Sequence, residues 1–126
     1  IHVSLLVNKD STVLGYPLAF AQVVLNLLLN AKDALMQQSP KNPTIQVKIW
    51  AAGDFAFVEV IDNGGGIDMD VYPKIFDPYV STKKSAGTGL GLYMAKMVIE
   101  QHLGGEISAS TSNEGATFLI KVPYER

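Results

Sequence analysis

The period of apolar positions changes several times along the chain, and each change marks an element. Residues 2–7 (His-Val-Ser-Leu-Leu-Val) read as a short strand. From Pro17 to Gln38 the apolar residues recur at helical spacing, with Pro17 in the first turn and Ser39-Pro40 as the stop. Leu18, Phe20, Val23, Val24, Leu25, Leu27, Leu28 and Leu29 leave little polar surface, so this helix is expected to be buried nearly all round. Thr44–Ala51 and Phe55–Ile61 then alternate with a period of two about Ala52-Gly53-Asp54. Such a pattern predicts a hairpin with Ile45, Val47 and Ile49 on one face and Gln46, Lys48 and Trp50 on the other. Residues 62–88 lose periodicity and carry clustered glycines and two prolines; a loop that long is expected to be functional, here a lid. Helical period returns over Leu90–Leu103, where Leu92, Ala95, Ile99 and Leu103 share a face and Gly104-Gly105 stop the helix. Glu106–Thr111 and Thr117–Val122 form a second hairpin around Asn113-Glu114-Gly115. This order predicts an α/β fold: a two-layer sandwich with a mixed, mainly antiparallel sheet packed on helices.

Composition narrows the picture. A length of 126 residues with 48% hydrophobic content fits one domain over 1–126 and excludes a disordered chain. No cysteine is present, which removes disulfides and thiolate chemistry. Ten basic against twelve acidic residues, a net charge of −2, argue against a nucleic-acid partner. The longest apolar stretch, Leu18–Leu29, is broken by Gln22 and Asn26, so no membrane span or membrane contact is expected, and residues 1–7 do not make a signal peptide. A start at Ile1-His2-Val3 without methionine suggests a fragment of something longer.

Three places could carry chemistry. Asn26 and Asn30 are four apart, hence on one face of the first helix. Two amides in an apolar helix need either an internal hydrogen-bonding network or a ligand cavity whose polar wall they form, with an amide oxygen suited to a hydrated Mg²⁺. Asp62-Asn63-Gly64-Gly65-Gly66-Ile67 sets a carboxylate at a strand end, followed by backbone that leaves room for a planar ligand; the same residues also suit an ordinary turn. Gly87-Thr88-Gly89-Leu90-Gly91-Leu92 opens the second helix, where exposed N–H groups suit phosphate. It matches neither the dinucleotide fingerprint nor the P-loop. His2 and His102 lie at opposite ends of the chain, no zinc spacing occurs, and no Gly-x-Ser-x-Gly elbow appears.

Taken together and in order, these segments resemble the ATP-binding catalytic domain of sensor histidine kinases, within the superfamily shared with gyrase-type topoisomerases, MutL proteins and the large heat-shock chaperone ATPases. Gln22–Ala31 looks like the family's N box, Asp62–Ile67 like its first glycine box and Phe76-Asp77-Pro78-Tyr79 like its F box. Gly87–Leu92 matches the second glycine box and Gly115-Ala116-Thr117-Phe118 the closing one.

The resemblance implies roles. Asn30 would coordinate Mg²⁺ on the phosphates, with Asn26 on the same polar face, and Asp62 would accept a hydrogen bond from the adenine amino group. Gly64, Gly66 and Ile67 would border the base. Gly87, Thr88, Gly89, Leu90, Gly91 and Leu92 would close a long ATP lid over the triphosphate with Lys83, and Thr117 would support the adenine subsite. ATP-hydrolysing superfamily members carry a glutamate where this chain has Asn26, an amide that cannot take a proton from water. Catalytic roles thus fall to Asn30, Asn26 and Lys83, with ATP and Mg²⁺ as cofactors. The product would be a phosphohistidine on a separate phosphoacceptor helix domain, with a response regulator downstream. A cytoplasmic, monomeric domain of a parent with or without a membrane anchor is implied. A conformational ATPase and a nucleotide-sensing module without transfer are the rival readings. Two departures stand out: Asp33 replaces a basic residue often found three places after the metal asparagine, leaving Lys32 as a candidate, and neither histidine sits in a phosphoacceptor motif. His102 is read as a partner for a helix C-terminus.

Overall fold

A computed structural model of the protein describes residues 2–7, 17–78 and 90–123. Five strands form one sheet: β1 (His2–Val7), β2 (Thr44–Ala52), β3 (Phe55–Asp62), β4 (Glu106–Thr111) and β5 (Ala116–Pro123), in the order β1-β2-β3-β5-β4. β1 runs parallel to β2 and every other pair is antiparallel, so the sheet is mixed and mainly antiparallel, as the hydrophobic pattern predicts. Alternation decides its faces. Ala56, Val58 and Val60 of β3 and Phe118, Ile120 and Val122 of β5 are almost wholly buried on one face, with Ile45 and Val47 of β2 beside them. The opposite face carries cross-strand pairs: Trp50 stacked on Phe57 at 5.2 Å, Lys48 opposite Glu59 at 4.0 Å, and the Lys121 ammonium 4.1 Å from the Phe55 ring centre.

Helix α1 (Pro17–Gln38) lays Val23, Leu27, Ala31 and Leu35 on the buried face of the sheet, a spacing of four that keeps them on one stripe. It is not buried all round. Leu25, Leu29 and Met36 are between 46% and 65% exposed on the side away from the sheet, so one layer of helix suffices and its outer stripe faces solvent. Ser39 ends the helix in a left-handed turn, its N–H donating to the Leu35 carbonyl.

Helix α2 (Gly91–Met97) adds Ala95 to the core and continues through Val98–His102 as a π-helical turn, in which the Leu103 N–H reaches the Val98 carbonyl at 3.0 Å. The widened turn keeps Ile99 fully buried while His102, at its end, is exposed. Gly105 does more than stop this helix: a Cβ there would run into the Lys121 carbonyl and lie 3.0 Å from Val122, so glycine lets β4 start tight against β5.

The segment after β3 departs from the expected lid. Residues 63–78 fold onto the body of the domain through a 3-10 turn at Tyr72–Lys74, with Ile75 buried and Phe76 edge-on to Phe118 at 6.2 Å. The Tyr72 hydroxyl donates to the Ala109 carbonyl at 2.6 Å. The rest of the expected lid, with Lys83, Gly87, Thr88 and Gly89, lies outside the described residues.

The two sides of α1 separate burial from mere hydrophobicity. Leu27→Ala should cost about 2–5 kcal/mol of unfolding free energy, and Leu25→Ala less than about 0.5, in denaturant titrations. Equal losses would contradict the exposed stripe.

Candidate functional site

Period two carries β3's inward series Ala56, Val58, Val60 one step further to Asp62, so a carboxylate lands where the core ends. Asp62 is 4% exposed and is the single buried charged side chain among the described residues. No cation faces it. Its Oδ1 accepts the Gly64 N–H at 2.9 Å, and the Ala116 N–H also donates to the carboxylate. Burial pushes the carboxyl pKa above its ordinary value of 3.8, and the two N–H donors pull it part of the way back.

The chain leaving Asp62 crosses the end of β5 and meets the β4–β5 turn. Gly65 donates its N–H to the Glu114 carbonyl at 3.1 Å, and the Ile67 N–H reaches Thr111 Oγ1 at 2.6 Å. Gly66 sits at φ +83°, and a Cβ on it would strike the Ser112 carbonyl and come 2.7 Å from Thr111 Oγ1. At Gly115 a Cβ would collide with the Asp62 carbonyl. Asn63 fastens the other side: its Oδ1 accepts the Thr44 N–H at 2.9 Å and its Nδ2 donates to the Asn42 carbonyl at 2.7 Å.

Between this crossing and α1 lies an open cleft. It brings together Asn30, Asp62, Gly64, Gly66 and Ile67. Ala34, Gln37 and Gln38 continue the Asn30 face of α1 along one wall; helical spacing from Asn30 would have found them. Asp68, Ile75 and Ala116 complete the lining. Ala116 contributes a backbone N–H and a small side chain, and no feature of residue type announces either.

Asn26 is not among the lining residues. One turn before Asn30, its Nδ2 donates to the Gly91 carbonyl at 3.4 Å and its Oδ1 accepts from Gln22 at 3.4 Å, which ties α1 to the start of α2. Leu90, Gly91 and Leu92 are therefore at the Asn26 end of α1, and Leu92 packs against the core. Thr117 pairs with Ile61 and Ser110 on the sheet face opposite Asp62, while its neighbour Ala116 faces the cleft. Lys32 and Asp33 are both exposed.

Among the described residues no cluster of three acidic or histidine side chains could hold a metal unaided. Neutral amides of Asn30, Gln37 and Gln38 line the cleft, and Mg²⁺ keeps most of its water unless phosphates replace it. Those donors fit Mg²⁺ arriving with a nucleotide rather than a resident ion. A donor group placed at Asp62, a planar body beside the glycine crossing and an anionic tail running toward Asn30 would suit these three parts of the cleft. No helix among the described residues is long and apolar enough to cross a membrane.

Residues 15–126 match the family described as histidine kinase-, DNA gyrase B-, and HSP90-like ATPase. The chain is 40% identical over 103 residues to the signal transduction histidine-protein kinase AtoS of Escherichia coli, covering 81% of this chain and 16% of that protein. It is 42% identical over 108 residues to the sensor histidine kinase ZraS of Salmonella typhimurium, covering 85% of this chain and 22% of the relative. The chain thus spans less than a quarter of either relative's length. The catalytic domain of histidine kinase ThkA superposes with a TM-score of 0.82 at 28% identity, over 98% of this chain and 78% of that one.

The raised pKa of Asp62 fixes a pH dependence. The folded state holds its proton to higher pH than the unfolded state does, so the contribution to stability is full below about 3.8 and is lost as pH rises through the folded value. Asp62→Asn has no such proton. In urea titrations from pH 4 to pH 7 the stability of the natural chain should fall relative to Asp62→Asn. A flat or rising difference would show that the carboxylate is neither desolvated nor unpaired.

Proposed function

This chain belongs to the histidine kinase-, DNA gyrase B-, and HSP90-like ATPase family and is an ATP-binding domain of the histidine kinase kind, and we propose that it binds Mg-ATP and transfers the γ-phosphoryl group to a histidine on a separate phosphoacceptor helix domain. The observation that carries this reading is one cleft holding a buried carboxylate acceptor at its base and the Asn30 amide on the α1 wall. Asp62 would accept the adenine N6–H, a donor that guanine lacks at that position. Loss of that pairing leaves a buried acceptor unsatisfied, which is how a polar site rejects the wrong base. Gly64, Gly66 and Ile67 border the place where the base would lie.

The residues 1–126 would act as one catalytic unit. Mg²⁺ bound with the phosphates supplies charge neutralisation, and the Asn30 oxygen is the group of this chain that would hold it. Asn26 stands where the hydrolysing members of the resembling superfamily carry a base. An amide cannot take a proton from water, and here it is engaged with the Gly91 carbonyl. The site would therefore position the triphosphate without activating water, which suits a nucleophile brought by another domain. Lys83, Gly87, Thr88, Gly89, Leu90, Gly91 and Leu92 would close over the phosphates, and Thr117 would brace the adenine end from the far face of the sheet.

One of the similar solved structures is described as histidine kinase ThkA in complex with response regulator protein TrrA, at 26% identity and a TM-score of 0.79. By analogy, the phosphohistidine made with this domain would pass its phosphoryl group to a response regulator. The domain would work in the cytoplasm as a monomer, with or without a membrane anchor elsewhere in its parent.

Calorimetric titration with ATP and GTP, with and without Mg²⁺, tests the site. Asp62→Asn should weaken ATP binding by roughly 10- to 100-fold whether or not metal is present. Asn30→Ala should instead abolish most of the Mg²⁺ dependence. Unchanged binding in both variants would falsify the assignment. With γ-labelled ATP and an added phosphoacceptor helix domain, label should appear on histidine. Rapid release of phosphate by the unmodified chain would favour a conformational ATPase, and binding without any label transfer a sensing module.

A further inference from the structure

The β4–β5 hairpin holds both ends of the glycine crossing through one pair of residues. Thr111 and Ala116 face each other across the two strands. Ala116, on the inner strand, donates its N–H to the Asp62 carboxylate, where the crossing begins. Thr111, on the outer strand, accepts the Ile67 N–H at 2.6 Å, where the crossing ends. Between them, Gly66 lies against the Ser112 carbonyl and Thr111 Oγ1 so closely that no side chain fits.

We infer that Thr111 is a positioning residue for the base end of the cleft, acting through the Ile67 N–H and the backbone of Gly66. The inference rests on the nucleotide reading above. The Thr111 side chain does not line the cleft, but Gly66 and Ile67 do. Their peptide planes set the width of the space beside Asp62, and the Thr111 hydroxyl supplies the Ile67 N–H with its acceptor. Valine has the shape of threonine without that oxygen, so Thr111→Val leaves the Ile67 N–H without its bond while keeping the strand packed. The crossing would then have the Gly65–Glu114 bond as its remaining backbone tether to the hairpin. Thr111→Ser restores the acceptor and removes only a methyl group.

The test measures two things on the full chain. In amide hydrogen exchange without nucleotide, Thr111→Val should speed exchange at Gly66 and Ile67 while the central amides of β3 and β5 keep their protection. Thr111→Ser should restore the natural pattern. In titrations, Thr111→Val should raise the Kd for Mg-ATP by roughly three- to tenfold, the loss expected for one hydrogen bond, and Thr111→Ser should recover it. Competition by inorganic tripolyphosphate, which has no base, should not change between variants. A loss shared equally by tripolyphosphate, or a lack of rescue by serine, overturns the positioning role in favour of a general loss of structure. Unchanged exchange at Gly66 and Ile67 overturns it outright. If the natural chain binds no ATP, the nucleotide reading fails, and the exchange comparison still decides whether Thr111 fixes the crossing.

Discussion

A carboxylate taken out of water, with no cation beside it among the described residues, is the condition to which the rest of this structure answers. Burying an unpaired charge is costly, and the cost is tolerable only if hydrogen-bond donors surround the oxygens. At Asp62 those donors are backbone N–H groups of Gly64 and Ala116, and backbone can reach the carboxylate only where nothing obstructs it. Hence the glycines nearby: one in the crossing presses on the β4–β5 turn, and one in the turn presses on the Asp62 carbonyl itself. An apolar side chain at this position would relieve the burial cost and leave the cleft without its acceptor.

The elements around the cleft divide the labour. Strand β3 delivers the carboxylate, α1 delivers the amide wall, and the second hairpin fixes the backbone between them. Asn63 reaches the other way, to the loop and strand that follow α1, so both flanks of the crossing are tied down. At the other end of the polar face, Asn26 ties α1 to the first residue of α2. The amides of α1 thus sit in two different settings one turn apart, Asn30 on the cleft wall and Asn26 against the start of α2.

Much of this was legible from residue order. The bounds Pro17 and Gln38 followed from proline, serine and helical period, and both hairpins followed from alternation, because these signals are local. Asn30 could be picked out because an amide in an apolar helix is expensive. Asp62 and the first glycine cluster suited a turn equally well and stood out only through the order of motifs they share with the resembling family. Three things were not legible, each for a physical reason. Hydrophobicity around the whole of α1 does not say which side meets the sheet, so the exposure of Leu25 and Leu29 could not be read. Tyr72, Ile75 and Phe76 pack as individual anchors without any period, so residues 63–78 looked like an unattached loop. Ala116 acts through its N–H, which every residue but proline possesses, and so leaves no trace in composition.

The parallel strand β1 has a consequence beyond architecture. Its partner β2 is an alternating apolar strand, and pairing from His2↔Thr44 to Val7↔Ile49 covers what would otherwise be a bare edge. Unlike the hairpins, this pair closes a long stretch of chain, so its formation costs more loop entropy. Until it forms, or in any shortened version beginning after Val7, β2 offers unpaired N–H and C=O groups beside Ile45, Val47 and Ile49. Such an edge is a template for another copy of the same strand. Six residues that never approach the cleft thus decide whether β2 is an inner strand or an edge.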